Sequence, residues 1–239
     1  MTNLTTSFRW WKNLEVSLQQ PISIAPLVTF RVFFGIMMLA SLLRFWRNGW
    51  ITELYVKPSF FFTYQGFEWV HPLGYTGMHL LFAGMIVAAI LITLGLFYQI
   101  ACLLFFLAFT YVELIDSTNY LNHYYFISLI SFLLIWLPAN RYFSLDVHFN
   151  LQRKITLVPR WAVGTIRLQV GMVYFFAGIA KINPDWLLEA LPMKIWLPAK
   201  SHLFLIGPLL YKSWVAYLFS WFGAFYDLFI PFFLLNRST

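Results

Sequence analysis

A primary amine held in apolar surroundings can stand as the free amine near neutral pH, and so serve as a base, because desolvation disfavours its ammonium form. Lys181 has that setting: it ends the run Val173-Tyr174-Phe175-Phe176-Ala177-Gly178-Ile179-Ala180-Lys181, with Ile182-Asn183-Pro184-Asp185-Trp186 just beyond. A second polar constellation, Asp116-Ser117-Thr118-Asn119-Tyr120-Leu121-Asn122-His123-Tyr124-Tyr125, stands between two apolar stretches. A neutral lysine and His123 under an aromatic cover would form a proton-transfer site.

Each group also has a plainer reading. Lys181 stands about nine residues, or ~13 Å, from the middle of its run, close to where a lysine would snorkel to a membrane surface. Asp116, Ser117, Thr118 or Asn119 would cap a helix starting nearby. Capping does not account for His123, which lies inside that helix. Asn119 and His123, four residues apart, would share a face if the helix begins at the polar island.

The elements that must position these groups are membrane spans. The 239 residues are 61% hydrophobic, 21% aromatic and only 10% charged, outside the range of soluble globular chains. Crossing the hydrocarbon core takes about 20 apolar residues. Six runs qualify: Ile24 to Trp46, Tyr75 to Leu96, Gln99 to Leu114, Leu121 to Leu137, Trp161 to Ile182 and Trp214 to Asn236. The expected fold is an all-α polytopic bundle, one domain over residues 1–239, with aromatic segments at the interface. The leader has no small-residue cleavage pattern, so the first span reads as retained. The single cysteine, Cys102, excludes an intramolecular disulfide and a cysteine-cluster metal site; no metal is expected.

The net charge of +7 is spread over loops and helix ends, which argues against nucleic acid. Arg141, Arg153, Lys154 and Arg160 crowd one loop and Arg9 and Lys12 the leader, which makes that face cytoplasmic. The opposite face then receives Trp50 to Gly74, Tyr111 to Asn122 and Asn183 to Ser213. His123 and Lys181 both fall on it. The segments Trp50 to Gly74 and Trp186 to Leu210 are aromatic but broken by prolines, and read as interfacial.

Charged groups inside spans are costly without partners. Arg31, Arg167 and Asp227 fall in the cytoplasmic half, where an Arg-Asp pair is expected. In the fifth run Gly164, Gly171 and Gly178 recur every seven residues, as do Arg167, Tyr174 and Lys181 three positions later. One stripe thus carries three glycines, two cations and a phenol. The glycines would admit a neighbouring helix. No inverted repeat or matched pair of broken helices points to a transporter.

The residues Val173 to Gly178, Lys181, Asp185-Trp186, Asp116 and Asn122-His123 together resemble the vitamin K-dependent gamma-glutamyl carboxylase family, whose membrane part is also called the HTTM domain. Phe30-Arg31 with Gly35, the Leu94-Gly95-Leu96 turn and Asp227-Leu228 extend the resemblance over nearly the whole chain. It implies an integral membrane enzyme that couples epoxidation of reduced vitamin K, a lipid quinol, to carboxylation of glutamate side chains, with O2 and CO2 as co-substrates. Lys181 takes the position of the base that deprotonates the quinol, and His123 that of a histidine supporting carboxylation. Asn122, Asp116, Tyr174 and Trp186 are the expected substrate-binding residues. The implied partners are the bilayer, a lipid quinone and a glutamate-containing peptide or protein. The implied location is the cell's inner membrane, with the active face extracytoplasmic.

Three departures bear on that expectation. Ala180 stands where the animal enzymes have a second lysine, and Tyr120-Leu121 replaces a Trp-Asn pair. Family chains also continue past the sixth span into further helices and a large extracytoplasmic domain, so this chain reads as truncated. A noncatalytic HTTM protein of bacteriocin-maturation or immunity type, or an inactive fragment, is the competing expectation.

Overall fold

The computed structural model describes Lys12, residues 15–204 and residues 206–236; Arg9, placed above in the leader, lies outside the described residues. The architecture is helical. In chain order the helices are α1 (Ala25–Arg47), α2 (Trp50–Tyr55), α3 (Gly74–Leu94), α4 (Tyr98–Ile115), α5 (Asn122–Trp136), α6 (Leu145–His148), α7 (Arg160–Ala180), α8 (Pro184–Leu187), α9 (Leu191–Trp196) and α10 (Ser213–Leu235). Two three-residue strands, β1 (Pro21–Ser23) and β2 (Leu157–Pro159), pair antiparallel, with Ile22 opposite Val158. The chain forms two compact units, Met1–Val163 and Gly164–Thr239.

Five helices, α1, α3, α4, α7 and α10, are long and apolar enough to cross a bilayer. Their bounds follow the apolar runs closely. The fourth run is the exception: α5 has 15 residues, about 22 Å at 1.5 Å per residue, short of the ~30 Å hydrocarbon core. Its ends explain the shortfall. Tyr120 and Leu121 are extended, and Leu137 is turned out of the helix ahead of Pro138, which disfavours α geometry in the residue before it.

In the first unit α1 packs on α3, α3 on α4 and α4 on α5. Buried residues recur three and four apart: Met78, Phe82, Met85, Ala89 and Ile92 on α3, and Tyr98, Cys102 and Phe105 on α4. The other faces are apolar too, with Phe33, Met37, Leu80, Val87, Leu104 and Leu107 exposed. A helix apolar all round suits a lipid bilayer, where the chain's own backbone bonds are satisfied and its side chains meet lipid. Gly35 brings α1 against α3: a β-carbon there would stand 2.8 Å from the Thr93 backbone nitrogen.

A polar clasp ties α1, the α3–α4 turn and residues 140–146 together. Gly95 and Phe97 adopt left-handed backbone, making the turn expected at Leu94-Gly95-Leu96. Asp146 caps the start of α4, accepting from the Phe97 and Tyr98 amides at 2.8 and 3.3 Å and from Asn140 Nδ2 at 2.7 Å. Arg31 is fully buried nearby and donates from Nη2 to the Phe143 carbonyl at 2.7 Å.

Candidate functional site

Within the second unit, α7 and α10 pack antiparallel. Gly178 lies against Leu228 and Gly171 against Pro231. The stripe of glycines therefore acts unevenly. A β-carbon at Gly178 would stand 2.8 to 2.9 Å from Leu228 atoms including its backbone nitrogen, one at Gly171 would make an ordinary 3.6 Å contact with Pro231, and one at Gly164 would meet nothing within 4 Å. Close approach is needed at one position of the three.

That close contact sets Lys181, one helical turn beyond Gly178, beside Asp227. The Nζ of Lys181 donates to Oδ2 of Asp227 in an ion pair whose side chains are 20% and 14% exposed. Two sequence expectations are corrected here. Asp227 takes a lysine rather than an arginine as its partner, and Lys181 turns back onto the helix pair rather than snorkelling. Asp227 is fourteen residues past Ser213, so the pair stands about 21 Å along α10 from its start.

The chain after Lys181 folds along that remaining length of α10. Asn183 caps α8 by accepting from the Trp186 amide at 2.9 Å. Trp186 then locks onto α10: its Nε1 donates to the Ser220 carbonyl at 2.9 Å, and the Ser220 hydroxyl donates back to the Trp186 carbonyl. Trp221 Nε1 donates to the Leu187 carbonyl at 2.7 Å. The Trp186 ring faces the Lys181 amine, with Nζ 5.3 Å from the ring centroid, within cation–π range. Tyr174, two turns before Lys181, packs edge-on to Tyr226 at 6.0 Å. The amine thus sits among one carboxylate, one indole face and the Ala177 carbonyl at 3.5 Å. Of the predicted site residues, Lys181, Trp186 and, two turns away, Tyr174 belong to this unit.

Asp116, Asn122 and His123 lie in the first unit. Asp116 is buried and caps the 3-10 turn Ser117–Asn119, accepting from the Thr118 amide and hydroxyl at 2.9 and 2.8 Å. It does not cap α5, whose N-cap Leu121 offers no side-chain bond. Asn119 belongs to that turn, so it does not share an α5 face with His123 as expected. Asn122 and His123 are exposed in the first turn of α5, and His123 rests against Tyr124 with ring centroids 4.7 Å apart.

A cavity of about 520 Å³ lies between α4, α5 and Tyr64, and neither Asn122 nor His123 lines it. Its polar wall is a chain of hydroxyls ending on an acid: Thr110 Oγ1 donates to Ser128 Oγ at 3.3 Å, and Ser128 donates to Glu113 Oε2. Burial, and after it the neighbouring Glu113, raise the Tyr64 phenol above its usual pKa.

The sequence from residue 19 to residue 239 matches the model of the HTTM domain family. This chain is an HTTM protein. The HTTM domain is that of the vitamin K-dependent gamma-glutamyl carboxylase family, so the resemblance read from the sequence holds at family level. No solved structure matches it. With its apolar helices, this HTTM chain is an integral membrane protein.

Glu113 and Ser128 of this HTTM chain are not among the site residues expected from the sequence. Glu113, the sixteenth residue of an apolar helix, carries the same signal as Arg31 and Asp227, a charged group inside a span. Ser220, whose carbonyl and hydroxyl fix Trp186, is not among them either; nothing in one sequence marks that serine.

Proposed function

We propose that this HTTM protein is a quinol-dependent gamma-glutamyl carboxylase-like enzyme of the membrane, with Lys181 as its base and His123 assisting carboxylation. The observation that carries the proposal is the environment of the Lys181 amine: one hydrogen-bonded carboxylate, one indole face and the Ala177 carbonyl, with the side chain only 20% exposed. These surroundings suit an aromatic headgroup on an apolar tail. Reduced vitamin K would supply the chemistry: with O2 it goes to its epoxide and water, and the oxidation drives replacement of a glutamate γ-hydrogen by CO2.

The residues of this chain supply binding and proton movement. A base must present a lone pair, and an ion-paired ammonium has none. Asp227 resolves this, because Nζ and Oδ2 in hydrogen-bond contact can share a proton; the free amine is reached by moving one proton onto the carboxylate, without release to water. Lys181 then takes the proton from the quinol hydroxyl. Trp186, fixed at both its Nε1 and its carbonyl by Ser220, holds one wall of the site. Excluding water protects the strong base formed later in the cycle. Asp116, Asn122 and Tyr174 are the remaining proposed substrate contacts.

The same ion pair favours a second reading. A lysine bound to Asp227 also closes the α7–α10 hairpin, which a noncatalytic HTTM protein would need equally. The test is the protein in lipid nanodiscs with reduced vitamin K, oxygen, labelled CO2 and a glutamyl peptide. Epoxide formation and label uptake are expected; a folded protein yielding neither leaves the noncatalytic reading standing.

A further inference from the structure

We propose that the cavity between α4 and α5 binds the ammonium group of a membrane-soluble amphiphile. Three observations converge. The cavity, about 520 Å³, has the size of a small-molecule site. Its one carboxyl group, Glu113, sits in an apolar span and makes no ion pair among the described residues, and no lysine, arginine or histidine lines the cavity. An acid in such a place calls for a cation, and the cavity leaves the ligand to bring it.

The hydrogen-bond polarity agrees. Both hydroxyls donate in series toward Glu113, Thr110 to Ser128 and Ser128 to Oε2, the arrangement that suits an ionised carboxylate. The rest of the wall is mostly aromatic, with Tyr64, Phe106, Tyr120, Tyr125 and Phe132 beside Leu114 and Leu129. Carboxylate plus aromatic walls is the chemistry that recognises an ammonium on an apolar body. A carboxylate headgroup would be repelled by Glu113, and a neutral alcohol would leave its charge uncompensated.

The test is photolabelling of the whole protein in phosphatidylcholine nanodiscs with diazirine-bearing hexadecylamine, hexadecanol and hexadecanoic acid of matched chain length. The amine is expected to label peptides containing residues 106–132 saturably, at least tenfold more than the alcohol or the acid. Glu113→Gln should lower amine labelling at least tenfold, and Leu129→Trp, which fills the cavity, should abolish it. If Glu113→Gln does not fold, Ser128→Ala decides in its place with a weaker fall of at least threefold. Displacement of the amine by added phosphatidylethanolamine would identify a lipid headgroup as the source of the ammonium, and persistence a free amphiphilic amine; both support the site. Equal labelling by all three probes, or labelling that ignores both Glu113→Gln and Leu129→Trp, overturns it. Loss of quinol epoxidation in Lys181→Ala with amine labelling intact separates this site from the proposed reaction.

Discussion

Lys181 and Asp227, 46 residues apart in sequence, form an ion pair where α7 ends against the middle of α10. Removing one partner of a largely shielded pair strands the other, whereas replacing both with apolar groups of similar volume relieves the desolvation cost. Asp227→Asn and Lys181→Met should each destabilise the protein by roughly 2 kcal/mol. The double variant Lys181→Met/Asp227→Leu should be more stable than either single one. Thermal unfolding in detergent, followed by tryptophan fluorescence, checks the order. If the double variant is the least stable of the three, the two residues are not acting as a pair.

Catalysis should divide these residues differently. Lys181→Ala is expected to abolish epoxide formation and to regain part of it with a small added amine, since the missing group is the base itself. Asp227→Asn keeps the amine but removes its proton acceptor, and turnover should fall at least tenfold with little change in the quinol concentration needed for half-saturation. Rates measured against quinol concentration separate the two. An Asp227→Asn enzyme of normal turnover would show that the carboxylate only holds the helices.

The pairing explains what could and could not be read from the sequence. The spans were legible because burial in lipid needs only length and apolarity, which a single run of residues carries; Ala25–Arg47 against Ile24 to Trp46 is the outcome. The shortness of α5 was not, because it depends on Tyr120 and Leu121 being extended rather than on their apolarity. Lys181 was marked by its own setting, yet its partner was not. Arg31, Arg167 and Asp227 all stood in apolar runs, and which charges meet is decided by the stagger of α7 against α10, set in turn by Gly178 and Leu228. Trp186 was chosen by resemblance, while the Ser220 contact that orients it spans 34 residues and leaves no local mark.

That stagger predicts unequal responses along the glycine stripe. Gly178→Ala pushes a methyl into the Leu228 backbone and should cost about 1–3 kcal/mol, because backbone cannot step aside as a side chain can. Gly171→Ala meets Pro231 at ordinary contact distance and should be neutral or stabilising, as an alanine in a helix gains about 1 kcal/mol over glycine before any contact is counted. Gly178→Ala should also weaken the Lys181–Asp227 pair, and with it activity, more than Gly171→Ala does. Equal unfolding midpoints for the two variants would contradict the helix contact described here.

The clasp at the other end of the first unit offers a test that does not involve catalysis. Gly95 has a left-handed backbone with φ of 65°, and a β-carbon there would stand 2.0 Å from Arg31 Nη1. Gly95→Ala therefore combines backbone strain with displacement of a fully buried guanidinium, and should cost more than the roughly 1 kcal/mol that left-handed backbone alone imposes on alanine. Arg31→Lys should not rescue it. A lysine lacks the planar fork, so it cannot keep the hydrogen bond to Phe143 in the same geometry, and it adds its own loss. The combination should therefore unfold at a lower temperature than Gly95→Ala alone, which thermal unfolding followed by tryptophan fluorescence checks. A combination more stable than Gly95→Ala alone would mean that the crowding between Gly95 and Arg31, rather than the hydrogen bond, dominates the clasp.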